Sequence, residues 1–256
     1  MALMKTSNPA LSAKTFSDLA SAQYGDLAET AGRMTLSGTV NKTGILLLCA
    51  IASASWTWHL FLPSRDMSDV APWMLGGLFG GFIVGLVTIF KKEWSPVTAP
   101  VYALLEGLAL GGISAVFELR YPGIGIQAVS LTFGTLFVLL LAYSSGWIKV
   151  TDKMRLGIVA ATGGIAVFYL LQMVLGFFGV HFTTINGSGP IGIGFSLVVV
   201  AIASLNLILD FDFIEQGVKI GAPKYMEWYG AFGIMVTLVW LYLEILRLLS
   251  KMRSRN

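Results

Sequence analysis

Charge is scarce in this sequence. Of its 256 residues 12% are Asp, Glu, Lys or Arg, against 55% hydrophobic, whereas a soluble domain carries about 25% charged residues. So few charges cannot cover a water-facing surface, which excludes a soluble catalytic domain. The net charge of +3 comes from ends and loops and suits a membrane surface; it does not suit nucleic acid. Cysteine is nearly absent, and Cys49 alone excludes an intrachain disulfide. The two histidines, His59 and His181, have no second His, Cys or carboxylate at ligand spacing, so neither a metal site nor a bound cofactor is expected. The alternating pattern of a membrane barrel is missing. No short apolar segment with a cleavage-like site precedes the first long run, so no signal peptide is expected. Ala2 in place of glycine excludes N-myristoylation.

What the chain has in abundance is long uncharged runs. A hydrocarbon core of ~30 Å needs about 20 apolar residues in a helix. Residues 43–62, 71–90, 98–117, 124–146, 156–180, 189–210 and 227–249 meet that length. A helix satisfies its own backbone in lipid, and an open sheet does not. The expected fold class is therefore an all-α integral membrane protein, a bundle of seven transmembrane helices. Residues 1–42 form a polar cytoplasmic tail, with a short surface helix through Phe16, Leu19 and Tyr24 as one reading. Residues 43–250 form the membrane domain, and 251–256 a short basic tail.

Loops are short, so successive helices are antiparallel neighbours. Pro63, Pro72, Pro96, Pro122, Pro190 and Pro223 fall at or near helix ends, where a missing N–H costs little, and Pro100 falls within a first turn. Trp73, Trp94, Trp147 and Trp228 sit near run ends, as interfacial aromatics do. With the N-terminus inside, the inner loops hold Lys91, Lys92, Lys149, Lys153, Arg155, Lys219 and Lys224, and the outer loops only Arg65 and Arg120. That asymmetry places the N-terminus in the cytoplasm. Lys251, Arg253 and Arg255 dissent: with seven spans they lie outside, unless packing pulls the last helix across or one segment is re-entrant. Gly76, Gly77, Gly80, Gly81 and Gly85 in the second run, and Gly107 and Gly111 in the third, read either as close helix packing or as a pore-lining face.

An ionisable residue inside the membrane is a functional candidate by default. Glu106 lies about eight residues into the third run, ~12 Å from its cytoplasmic end. It reads as a proton- or cation-binding carboxylate, or as a protonated one bonded between helices. Asp210 and Asp212 end the sixth run, about 200° apart around a helix, so that one faces the bundle and the other water. Asn206 shares the face of Asp210. Because the third and sixth runs are antiparallel, a Glu106–Asp210 pair sharing a proton or holding a cation is geometrically allowed. Glu244 is either part of such a site or the partner of Arg247, three residues on.

Ile208-Leu209-Asp210 at the end of the sixth run, Tyr225 opening the last helix, the leucine-rich stretch Leu241–Leu249 and the segment Tyr102–Gly111 together resemble the Bax-inhibitor family, in particular its bacterial, YccA-like branch. The resemblance covers about residues 40–250. It implies a seven-helix bundle with the last helix central, in a bacterial inner membrane. It also implies either a pH-sensitive calcium leak gated by facing aspartates on helices six and seven, or a non-conducting regulator that binds a membrane AAA protease or a stress-response partner. Two positions depart from the pattern. Leu209 stands where the family has an aromatic, which Phe211-Asp212 restores two residues later. Thr237 stands at the second aspartate in an ungapped alignment of the last helix. Glu106, Asp212 or Glu244 is then left to supply the second carboxylate.

An intramembrane enzyme is disfavoured. Gly112-Ile113-Ser114-Ala115 is half of a rhomboid-like serine motif, no histidine lies in a helix interior to act as base, and the Gly-x-Gly-Asp of aspartyl intramembrane proteases is missing. No catalytic residue is therefore assigned.

Overall fold

The computed structural model describes residues 32–179 and 182–255. The first 31 residues, with the surface helix read there, and His181 lie outside the described residues. Seven helices are long and apolar enough to cross a membrane. They are α1 (Leu36–Ser64), α2 (Ala71–Phe90), α3 (Ser95–Arg120), α4 (Ile124–Ser144), α5 (Asp152–Phe177), α6 (Pro190–Lys219) and α7 (Met226–Arg253). Single helical turns at Met67–Asp69, Lys92–Trp94 and Thr183–Asn186 fill the links. The chain is a multi-pass membrane protein, as the long apolar runs predict.

Local chemistry sets where these helices start and stop. Thr35 and Thr151 cap α1 and α5, each hydroxyl accepting from the N–H three residues on. Pro72, Pro96 and Pro190 open α2, α3 and α6, where proline's missing N–H would have had no partner. Arg65 closes α1 at φ 50°. In the adjoining loop the Ser68 N–H donates to Asp66 at 2.9 Å, which holds that carboxyl below its usual range. The exposed rings of Trp73, Trp94 and Trp147 sit at or near helix ends, where a bilayer's polar interface would meet them.

Helix ends are where the structure corrects the hydrophobic runs. Asp210 and Asp212 do not end the sixth helix, which continues to Lys219. Asp212 accepts from Gln216 at 2.5 Å and Glu215 pairs with Lys219 at 2.5 Å, both one turn apart, so polar pairs carry the helix beyond its apolar part. Likewise α1 starts at Leu36, ahead of the first run, and α7 runs through Lys251 to Arg253.

α7 is the most buried of the spans and α5 the least. α6, α1, α3 and α4 surround α7, whereas α2 leans chiefly on α3 and α5 chiefly on α6. The last helix is thus central. Tyr102 of α3 meets Phe232 of α7 edge-on, ring centroids 4.8 Å apart. At the end of the bundle where α1 begins, Ser95 Oγ donates to the Tyr225 carbonyl at 3.0 Å, and Met34 N–H donates to the Ala222 carbonyl at 2.7 Å.

Small residues bring α1, α2 and α3 together. A Cβ at Gly107 or Gly111 would overlap the α1 backbone at Ala50 or Ala54, and one at Gly77 would overlap α3 at Leu105. The glycine stripes are packing faces. Lipid offers helices no hydrophobic gain on association, so close van der Waals contact replaces it. We expect Gly107→Val to destabilise the protein by about 1–3 kcal/mol, as overpacking does, read as a lowered thermal midpoint in detergent. Gly134→Ala, at a position with open space around it, should leave the midpoint unchanged or raise it.

Candidate functional site

Three helices carry polar residues at seven-residue intervals, which is nearly two turns and keeps them on one face. On α5 these are Arg155, Thr162 and Tyr169; on α7 they are Thr237, Glu244 and Lys251; on α6, Ser196 and Asp210 lie two such intervals apart. The bundle turns these faces together. The result is a column of polar contacts along the α5–α6–α7 seam. From Ser196 to Asp212 it covers sixteen residues of α6, ~24 Å of rise.

Near the end where α1 begins, Arg155 Nη2 donates to Asp212 at 2.5 Å, and Asp152 lies 3.9 Å from the same guanidinium. Beside them Tyr143 of α4 donates to Glu215 at 2.5 Å. Deeper in the bundle Asp210 is fully buried, and Thr237 Oγ1 donates to its Oδ2 at 2.6 Å. One turn further along α6, Asn206 Nδ2 donates to Thr162 Oγ1 at 2.9 Å and to the Ile202 carbonyl at 2.8 Å.

Beyond the middle, Glu244 is 2% exposed. It accepts from Tyr169 at 3.0 Å and from Arg247 at 3.1 Å. Arg247 also donates to the Tyr169 hydroxyl at 2.5 Å and lies over that ring. At the far end Lys251 is buried, its ammonium donating to the Ile185 carbonyl at 2.8 Å, Ser196 Oγ at 2.9 Å and the Gly192 carbonyl at 3.1 Å. Arg253 donates to the Pro122 carbonyl at 2.6 Å and Gln127 Oε1 at 3.0 Å.

The expected residues therefore separate. Asp210, Thr237, Asn206, Asp212 and Glu244 lie along the column. Glu106 is half-buried against Gly81 of α2, beside Tyr102. Asp210 instead faces Thr237, the position that the last-helix alignment assigns to a second carboxylate. A hydroxyl there gives Asp210 a proton donor where a second carboxylate would compete for one.

The sequence reading did not single out Thr162, Tyr169, Ser196 or Lys251 as site residues. Their seven-residue spacing on otherwise apolar helices was the available signal. It also passed over Glu227. This fully buried carboxylate accepts from Thr35 N–H (2.9 Å), Thr35 Oγ1 (2.7 Å) and Lys224 (2.7 Å), and pairs with Lys42 at 2.6 Å. It ties the start of α1 to the start of α7.

No cluster of three His, Cys, Asp or Glu residues able to hold a metal occurs among the described residues. A calcium ion takes six to eight oxygens, and each column carboxylate is engaged by protein donors.

One comparison settles what kind of bundle this is. The family model described as Bax inhibitor 1 like matches residues 8–254. The chain belongs to the Bax inhibitor 1 like family. No curated protein and no solved structure matches it. As a member of that family, this chain pairs the conspicuous sixth-helix aspartate with a threonine.

The Glu244 site makes its own prediction. Arg247→Leu strands a buried carboxylate and should cost about 2–3 kcal/mol, below the full range for broken buried pairs because Arg247 is itself half-exposed. Adding Glu244→Gln should recover most of that loss. Thermal unfolding of both single variants and the double variant measures the coupling.

Proposed function

We propose that this Bax inhibitor 1 like protein is a pH-sensitive cation leak, for calcium or protons, whose path follows the α5–α6–α7 seam. The supporting observation is the buried polar column itself. Carboxylates and hydroxyls cost several kcal/mol in hydrocarbon when unpartnered, and a bundle needing only stability would fill this seam with packed apolar side chains. Asp210 is the central titrating group in this reading. Losing its proton charges the middle of the path and recruits a cation. Arg155 at one end and Arg247 with Lys251 at the other hold the path closed by occupying the acceptors a passing cation would use.

The N-terminal end of the bundle faces the cytoplasm in this proposal, following the basic loops. Lys251 and Arg253 at the opposite end do not contradict it, since both are bonded to protein acceptors. Glu106 stands outside the path, at the α2–α3 interface.

Fluorescent calcium-flux measurements in liposomes, from about pH 6 to about pH 8, test the proposal. Wild-type flux should rise with pH, and Asp210→Asn should flatten that dependence. Glu106→Gln should leave it unchanged. A wild-type protein with no flux at any pH, or an Asp210→Asn profile that overlays wild type, would refute the role given to this column.

A further inference from the structure

A second feature lies on another face of α7. A cavity of about 660 Å3, open on one side, is lined by α1, α3, α4 and α7. Met235, Leu238, Val239 and Tyr242 form its floor, the i, i+3, i+4, i+7 pattern of a single helix face. That face does not carry Thr237, Glu244 or Lys251. The walls are α1, from Leu47 to Leu62, and the first half of α4. These two walls share no extended contact with each other, so the cavity is a lateral groove between them.

We infer that this groove holds one acyl chain of a membrane phospholipid. The first argument is continuity. Ile51, Leu62, Ile126 and Val129 line the groove and are exposed, as are Leu48 and Leu131 beside them on α1 and α4. The groove is thus an inward fold of the surface that seven spans present to lipid, and its mouth opens on hydrocarbon.

Charge is the second argument. No Asp, Glu, Lys or Arg lines the groove. Its deep polar groups are already satisfied: Ser114 and Tyr242 hydroxyls bond each other at 2.6 Å, and Thr132 donates to the Ala128 carbonyl at 2.8 Å. The remaining polar lining is Ser55, His59 and the Trp58 indole on the α1 wall, with Ser55 and His59 exposed, and a lone imidazole is no ligand set for an ion. Water does not fill such an apolar space, and an empty groove forfeits dispersion contacts along its length.

Size decides between a lipid chain and a polypeptide. From Leu47 to Leu62 is fifteen residues of helix, ~22 Å. One leaflet of hydrocarbon is ~15 Å deep, so a lipid tail fits lengthwise. Even with the space out to its mouth counted, about 1590 Å3, the groove has a mean cross-section of roughly 70 Å2 over that length, less than the ~80–110 Å2 of a helix 10–12 Å across with its side chains. An extended hydrocarbon chain fits within it and a whole helix does not.

The groove is tested on the full-length protein. Native mass spectrometry after mild detergent extraction should show one retained phospholipid per chain. Ser55→Phe with Val129→Phe, at two exposed mouth positions, fills the groove and should reduce that occupancy at least about tenfold. Leu170→Phe, exposed on α5, should not. A second measurement needs no groove variant to fold. Phospholipid with a brominated acyl chain is titrated at low mole fraction against wild-type tryptophan fluorescence, and a saturable quenching component should appear that Trp58→Phe removes. Lipid-free wild-type protein, equal lipid retention in the filled variant, a bound polypeptide in place of lipid, or purely linear quenching would each overturn the assignment.

Discussion

Within the hydrocarbon of a bilayer no water is available to take a polar side chain's hydrogen bond, so such groups must find each other. That constraint organises this protein. Seven-residue spacing puts the polar groups of α5 and α7 on single stripes, and packing turns both stripes toward α6. Asp210 meets Thr237, Asn206 meets Thr162, and Glu244 meets Tyr169 and Arg247. The remaining faces of α7 are then free to be apolar. It can sit in the middle of the bundle because Thr237, Glu244 and Lys251 share one face and the polar groups on its other faces, such as Tyr242 with Ser114, are bonded to neighbouring helices.

The division of labour between the faces of α7 follows from the same arithmetic. One face carries the polar column and touches the poorly buried α5, the helix with fewest packing ties to hold it in place. Another forms the floor of an apolar groove. A third meets α1 and α3 near the rings of Tyr102 and Phe232, where the glycines of α3 also draw α1 close. α1 and α2 both pack closely on α3, whereas α5 packs chiefly on α6 alone.

Much of this was legible in the sequence, and the reasons for success and failure differ by residue. The spans were readable because twenty uncharged residues in a row have few other solutions. Their ends were not. Asp210 and Asp212 looked like a boundary because charge usually marks one, yet partners one turn away and on α5 and α7 let the helix carry them inside. The burial of Asp210 followed from its position, and so did the face it shares with Asn206. For Glu106, antiparallel direction constrains depth but not azimuth, and its carboxylate packs against Gly81 of α2. Thr162 and Tyr169 were invisible one at a time, since a lone hydroxyl in an apolar helix is unremarkable; only the interval between them and Arg155 carries information.

Lys251 bears on how the chain comes to be assembled. Its three acceptors belong to the α5–α6 connection and the first turns of α6, so its docking place does not exist until both neighbours have arrived on that side. α7 follows both in the chain and carries Lys251 and Arg253 in its last turn. Its seating therefore depends on a receptor that the two preceding segments build.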